Sequence, residues 1–268
     1  MKIIAIMGSP RGKGSGYKIV KMIEERMKTM GKVEFEYLFL KDANLKPCLG
    51  CYNCMAKGED KCPLKDDRTA IEQKLLSADG FILSSPVYVS NVSWLIKIFI
   101  DRFAYMNHRP RFHSQKMLTV VSMAGGGEKE TLSALKIALG FARGARIVHK
   151  LAIATPPWLQ TGREVAKKEL AIDDAAKKFY LTCLDTALPL PTFRSYMDFF
   201  IMQKLSSECK QYLPADYSFY NGKDYYFDTK MDPIKAAAAK AIVDVMMNIW
   251  KKGMGPGNVS WPVAKKED

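Results

Sequence analysis

KIIAIMGSPRGKGSGY, residues 2–17, is the stretch whose reading decides the fold. Lys2–Met7 is a short Ile-rich apolar run, the pattern of a central parallel strand buried on both faces. Residues 8–16 break that run and read as a turn. From Tyr17 to about Met30, apolar Ile19, Val20, Ile23, Met27 and Met30 recur at helical spacing, and Gly31 supplies a stop. A strand passing through a glycine-rich turn into a helix opens a parallel α/β unit, because parallel neighbours need a crossover. The turn's N–H groups, the hydroxyls of Ser9 and Ser15 and the charge of Arg11 suit a phosphate at the positive end of the helix. A plain flexible turn is the bland alternative. Two better-known loops are excluded: Gly14 follows Lys13 where a Walker loop needs Ser or Thr, and Tyr17 stands where a GxGxxG fingerprint needs glycine.

Working outward, residues 33–40 alternate and then turn apolar, as an outer strand should. Residues 67–77 read as a helix, 80–84 as a buried strand, 85–91 as a loop and 92–106 as a helix. A strand at 116–123, a glycine-rich loop at 124–127, a helix at 128–141 and a strand at 145–154 follow, with a charged amphipathic helix over 163–187. Strand and helix alternate five times, the signature of a doubly wound parallel sheet. Ligands of such sheets bind outside the carboxyl ends of the strands, where the loops at 8–16, 86–92 and 124–127 converge.

The second of these loops lies in SSPVYVSNVSWLIKIFIDR, residues 84–102. Pro86 fixes the chain, Tyr88 offers an aromatic face, and Asn91 and Ser93 can cap the next helix. Residues 125–127 would let backbone approach a flat ring such as isoalloxazine without a side-chain clash. Tyr88 taken alone is more often a packing residue. Together, the strand–GSPR–helix opening, the C-x-G-C…C…DD segment at 48–67 and PVY-x-x-N-x-S…K-x-F-I-D-R at 86–102 resemble the NADPH-dependent FMN reductase-like branch of the flavodoxin-like superfamily. The resemblance covers about residues 1–185. It implies a flavodoxin-like α/β fold, a doubly wound five-stranded parallel sheet of order 2-1-3-4-5. Ser9, Arg11, Ser15, Gly16 and Tyr17 would then hold the FMN phosphate. Pro86, Val87, Tyr88, Asn91 and Val92 would line the ring, with Gly125 and Gly126 on its other side. GKGSGY departs from the usual Asn/Ser-Thr ending of the phosphate loop, and Ser90 stands where glycine is frequent. The implied activity is an oxidoreductase passing electrons from NAD(P)H through FMN to a quinone, a flavin or a small electrophile. The flavin carries the chemistry, and Asp101 and Arg102 read as structural or interface residues.

Cys48, Cys51, Cys54 and Cys62 form C-x2-C-x2-C-x7-C. Structural zinc sites use separated C-x2-C pairs, whereas three cysteines at two-residue gaps suit three corners of a cubane. The run resembles the iron–sulfur flavoprotein subfamily, in which a [4Fe–4S] cluster passes electrons to FMN across a subunit interface. That resemblance implies a second function, electron transfer with ferredoxin as reductant. Free thiols or a regulatory disulfide, and then zinc, remain alternatives.

Over all 268 residues, 48% are hydrophobic, enough for a sizeable core, and the net charge is +13. Residues 1–189 hold 30 of the 41 Lys and Arg against 19 of the 28 Asp and Glu. The excess serves solubility or attracts anionic partners, and no nucleic-acid module accompanies it. Clustered cysteines and a strand-first start, with neither a signal peptide nor a membrane span, read as cytoplasmic. Residues 1–188 are expected to form the FMN-binding domain, and 189–268 an extension for packing or oligomerisation. In the extension, Tyr217, Phe219, Tyr220, Tyr225, Tyr226 and Phe227 are expected to bury an edge of their own subunit rather than cover a neighbouring site. A helix at 233–251 is expected to serve subunit packing or a core rather than membrane docking. The family resemblance implies a homodimer or homotetramer.

Overall fold

The computed structural model describes residues 1–137 and 146–253. The chain divides into two compact units, Met1–Pro189 and Leu190–Asp268. In the first, β1 (Lys2–Met7), β2 (Glu34–Phe39), β3 (Gly80–Pro86), β4 (Lys116–Met123) and β5 (Arg146–Ala154) form one parallel sheet of order β2-β1-β3-β4-β5. This is the flavodoxin-like order expected. Its direction reverses between β1 and β3, so two crossovers leave β1 and β3 on opposite sides and open a crevice there.

The period-two alternation of β1 feeds both faces of the sheet. Ile3, Ala5 and Met7 join Ile19, Val20 and Ile23 of α1 (Ser15–Met30) and Ile172, Ala176 and Phe179 of α6 (Gly162–Leu184). Ile4 and Ile6 join the opposite layer, built from α3 (Arg68–Leu76), α4 (Trp94–Arg102) and Leu135 of α5 (Glu128–Ile137). Each such fully buried aliphatic side chain contributes about 1.5–3 kcal/mol. A short α2 (Asn53–Ala56) interrupts the cysteine segment.

Differences from the sequence reading have local causes. β3 runs on past Ser84 through Ser85 to Pro86, because the ladder with β4 continues to Ser122. The helix expected over 92–106 is α4 alone, followed by a 3-10 turn at Ala104–Asn107. Ser93 starts it, accepting from Ile96 N. The helix expected to reach 187 stops at Leu184, ahead of the prolines. Of the expected segments at 128–141 and 145–154, residues 138–141 and 145 lie outside the described residues.

The second unit contains α7 (Phe193–Glu208), α8 (Pro214–Tyr220) and α9 (Pro233–Gly253). Its core is aromatic: Tyr196, Phe199, Tyr220, Tyr225 and Tyr226 are buried, with Phe219 and Phe227 packed against them. Of the aromatics expected to bury an edge of their own subunit, Phe219, Tyr220, Tyr225, Tyr226 and Phe227 pack in this core. None of the described helices is long and apolar enough to cross a membrane.

Two polar contacts fix the position of α1 and α4. Glu24 of α1 accepts from Lys21 at 2.9 Å, Lys28 at 2.5 Å and Tyr37 of β2 at 2.7 Å. Burial alone would raise this carboxyl, but the three donors outweigh it and hold it at about 2, below its ordinary 4.5. Its stabilisation is therefore complete above pH 4.5 and lost as pH falls through 2. E24Q should flatten the acid limb of the thermal-stability profile in that window. Ser93 Oγ donates to Gly8 O at 2.5 Å while capping α4. S93A should cost about 2 kcal/mol, read in urea as a lower midpoint at unchanged slope.

Candidate functional site

At the carboxyl rim, the first loop folds tightly. Gly12 N donates to Ser9 O at 3.0 Å, Arg11 N to Ser9 Oγ at 3.3 Å, and Gly14 N to Gly12 O at 2.9 Å. Ser9 is thus buried, its hydroxyl holding the turn. α1 then begins at Ser15 with no side-chain cap and no acid in its first turn. The N–H groups of Ser15, Gly16 and Tyr17 have no intrahelical acceptor and carry the helix's partial positive charge. Arg11 lies across this end, its guanidinium 3.7–3.8 Å from where a Gly14 β-carbon would stand. A β-carbon on Gly16 would sit 3.1 Å from Ser84 Oγ and 3.6 Å from Ser122 Oγ. The ring of Tyr17 packs toward β2, 5.2 Å from that of Tyr37 and 5.9 Å from that of Phe39, with Lys13 Nζ of the loop 5.9 Å from its centroid.

The second loop is a two-residue hairpin. Tyr88 N donates to Asn91 O at 2.9 Å and Asn91 N to Tyr88 O at 3.0 Å. Both tip residues are left-handed, Val89 at φ 50° and Ser90 at φ 55°, as a type I′ turn demands. Position 90, where glycine is frequent, is therefore one that glycine occupies without strain. Tyr88 is partly exposed and stacks on no other ring among the described residues. Asn91 Oδ1 accepts from Val92 N, and Val92 is buried.

Hydrogen bonds and glycine contacts bind the three loops into one rim. Gly8 N donates to Ser84 O at 2.8 Å, Ser93 N to Ser85 Oγ at 3.1 Å, and Val87 N to Ser122 O at 2.9 Å. Gly127 packs so closely on Ser90 that a β-carbon would lie 2.7 Å from its Cα. Gly125 and Gly126 are exposed, with open space where their side chains would be. The uncapped helix end, the cationic Arg11 and this open glycine rim fit a phosphorylated flat ring.

The cysteine segment lies between β2 and α3. Cys48 and Cys51 are exposed, Cys54 and Cys62 half-buried, and all four are free thiols. A cavity of about 350 Å³ is lined by Cys48, Cys54, Tyr52, Asp101 and Ala104, among others. Burial raises the Cys54 thiol, and Cys48, Cys62 and Cys51 raise it further, so the four sulfurs sense one another. Among the described residues no three thiols, imidazoles or carboxylates converge as metal ligands. The fit to an iron–sulfur cluster is one of donor chemistry, four thiols on a loop held by arginines.

Of those arginines the sequence reading singled out only Arg102, as a structural or interface residue. Arg102, at the end of α4, is almost fully buried and paired with Asp66 at 2.8 Å, and its Nη1 donates to Cys62 Sγ at 3.1 Å. Burial would raise the Cys62 thiol, yet the Arg102 hydrogen bond, the Leu64 backbone hydrogen bond and the charges of Arg102 and Arg68 together hold the thiol below its ordinary value. Arg109 donates to the carbonyls of Cys54 and Met55 and to Glu59, and Arg68 to Glu59 O at 3.1 Å and Glu72 at 3.2 Å. Arg111 joins Glu59 and Glu72. Asp101, by contrast, pairs with Lys97 at the surface.

The sequence profile of the NADPH-dependent FMN reductase family matches residues 1–158. An iron–sulfur flavoprotein of Methanocaldococcus jannaschii is 43% identical over 102 residues, 38% of this chain and 51% of that protein. An iron–sulfur flavoprotein of Archaeoglobus fulgidus is 33% identical over 187 residues, 65% of this chain and 90% of that protein. The chain thus spans about half the length of the first relative and nearly all of the second. RosB, solved with bound 8-demethyl-8-formylriboflavin-5'-phosphate, superposes with TM-score 0.53 at 10% identity over 100% of this chain and 97% of its own. That likeness is one of fold.

D66N should strand the buried Arg102 and cost about 3–5 kcal/mol, seen as a lower melting temperature. The double variant D66N/R102Q should recover most of the loss.

Proposed function

The chain belongs to the NADPH-dependent FMN reductase family, and from that premise we propose that it is an FMN-dependent oxidoreductase moving electrons from NAD(P)H to a small acceptor such as a quinone, a flavin or an electrophile. The observation that carries the reading is the uncapped start of α1 under Arg11, set at the strand-order switch. There the N–H groups of Ser15, Gly16 and Tyr17 and the Arg11 guanidinium would hold the phosphate. The Pro86–Val92 hairpin segment and the open backbone of Gly125 and Gly126 would bracket the ring. When bound, FMN accepts hydride and releases electrons one or two at a time. The protein's own contribution is orientation and a fixed set of dipoles, with no side-chain acid or base required. A homodimer or homotetramer is part of this proposal.

A second reading is favoured by the arginine-held cysteine loop and by relatives named as iron–sulfur flavoproteins. In it Cys48, Cys51, Cys54 and Cys62 hold a [4Fe–4S] cluster, and a one-electron donor such as ferredoxin replaces NAD(P)H. Both readings share the FMN site and differ in the donor.

Protein purified without air should bind FMN stoichiometrically, and R11Q should weaken that binding by roughly tenfold, the loss of one charge-assisted phosphate contact. Chain that takes up no FMN ends both readings. On anaerobic mixing, flavin bleaching by NAD(P)H supports the first reading, and bleaching only by reduced ferredoxin supports the second.

A further inference from the structure

We infer that the cleft between α1 and α6, outside the carboxyl end of β5, is a second ligand site, one that takes an apolar ring system carrying a negative charge. The two helices run the same way. Arg26 pairs with Asp173 at 2.7 Å and, further along both helices, Tyr180 Oη donates to the Met30 carbonyl at 2.9 Å. Ahead of that clamp, toward their starts, the helices line a cleft of about 380 Å³, within the roughly 300–1,000 Å³ of ligand pockets. Its floor is Ile19, Ile153 and Ile172, all buried. No residue of the cysteine segment borders it, and of the residues given to the phosphate only Ser15 does.

The lining selects the ligand. With an isoleucine floor and Val165 on one wall, side-chain polar contacts short of the charged groups are few, from Ser15, Thr155 and Gln160. A hydrocarbon ring suits such a cleft better than a base that needs several hydrogen bonds when it leaves water. Three charged side chains border it, Lys18, Lys168 and Glu169, an excess of one positive charge. Lys18 is exposed and has no side-chain partner among the described residues, and Lys168 donates to the neutral amide of Gln160. The neighbouring Glu164 is engaged by the N–H and hydroxyl of Thr161 at 2.8 and 2.9 Å. Because the helices are parallel, both positive ends lie on the side of the cleft. An anionic group at the lysines with its ring on the isoleucines satisfies both halves of the lining.

The test is calorimetric titration of FMN-loaded protein with 2-naphthoate, flavin occupancy being measured on the same samples. The wild type should bind one equivalent, and the uncharged 2-naphthalenemethanol should bind more weakly. K18Q/K168Q should weaken 2-naphthoate by roughly fivefold at low ionic strength, and added salt should shrink the difference. V165E puts a carboxylate on the wall at an exposed position near the start of α6, where an acid suits the helix, and should abolish binding at an unchanged melting temperature. A wild type that binds no 2-naphthoate overturns the inference. Affinity unmoved in both V165E and K18Q/K168Q overturns it too, as does an alcohol that binds as tightly as the acid. Protein that takes up no FMN is titrated as isolated, since the cleft needs no flavin, and that failure counts against the flavin reading alone.

Discussion

A β-carbon on residue 8 would lie 2.2 Å from Ile96 Cγ1 and 2.9 Å from the Ser84 carbonyl oxygen, and the whole carboxyl rim is arranged around the gap that glycine leaves. Because Gly8 has no side chain, β1 ends in contact with β3 and with the first turn of α4. That contact lets Ser93 cap α4 and grip the Gly8 carbonyl with the same hydroxyl. Ser85 takes the Ser93 N–H, and Val87 reaches across to β4. The rim loops thus inherit their spacing from the sheet, and the 4.8 Å or so between strands fixes how far apart a phosphate and a ring can be held.

The second organised region follows a different rule. Around the cysteines the chain is held by charge: four guanidiniums, on Arg68, Arg102, Arg109 and Arg111, face three carboxyl groups, on Glu59, Asp66 and Glu72. Buried ion pairs of this kind add little net stability compared with apolar packing, and removing one member is costly. Arg102 also donates to the Cys62 sulfur, whose thiol is held below its ordinary value.

Much of this was legible in the residues. Ile-rich β1, the glycine turn and the helical spacing of α1 led to the parallel sheet, and the strand order came with the family resemblance. The rest was hidden for physical reasons. Ser85 looks like a loop residue but lies buried in β3, where its hydroxyl accepts from Ser93 N. Within α7, buried Tyr196, Phe199, Phe200 and Met202 alternate with half-buried neighbours, so no single apolar stripe marks the helix. Spacing located the cysteines but not their electrostatics, since Arg102 meets Cys62 only through the fold. Tyr17 was assigned to the phosphate site by motif, which could not show that its ring packs on Tyr37 and Phe39 of β2.

The fastening of the cysteine loop bears on which thiols a solute meets first. Arg109 and Arg68 clamp the carbonyls of Cys54, Met55 and Glu59 using groups outside the thiol run. Zinc fingers gain their shape from the metal, and their loading and folding are one event. In this loop the bracing comes from those arginines, so a solute reaches Cys48 and Cys51, the exposed pair, without the segment having to open.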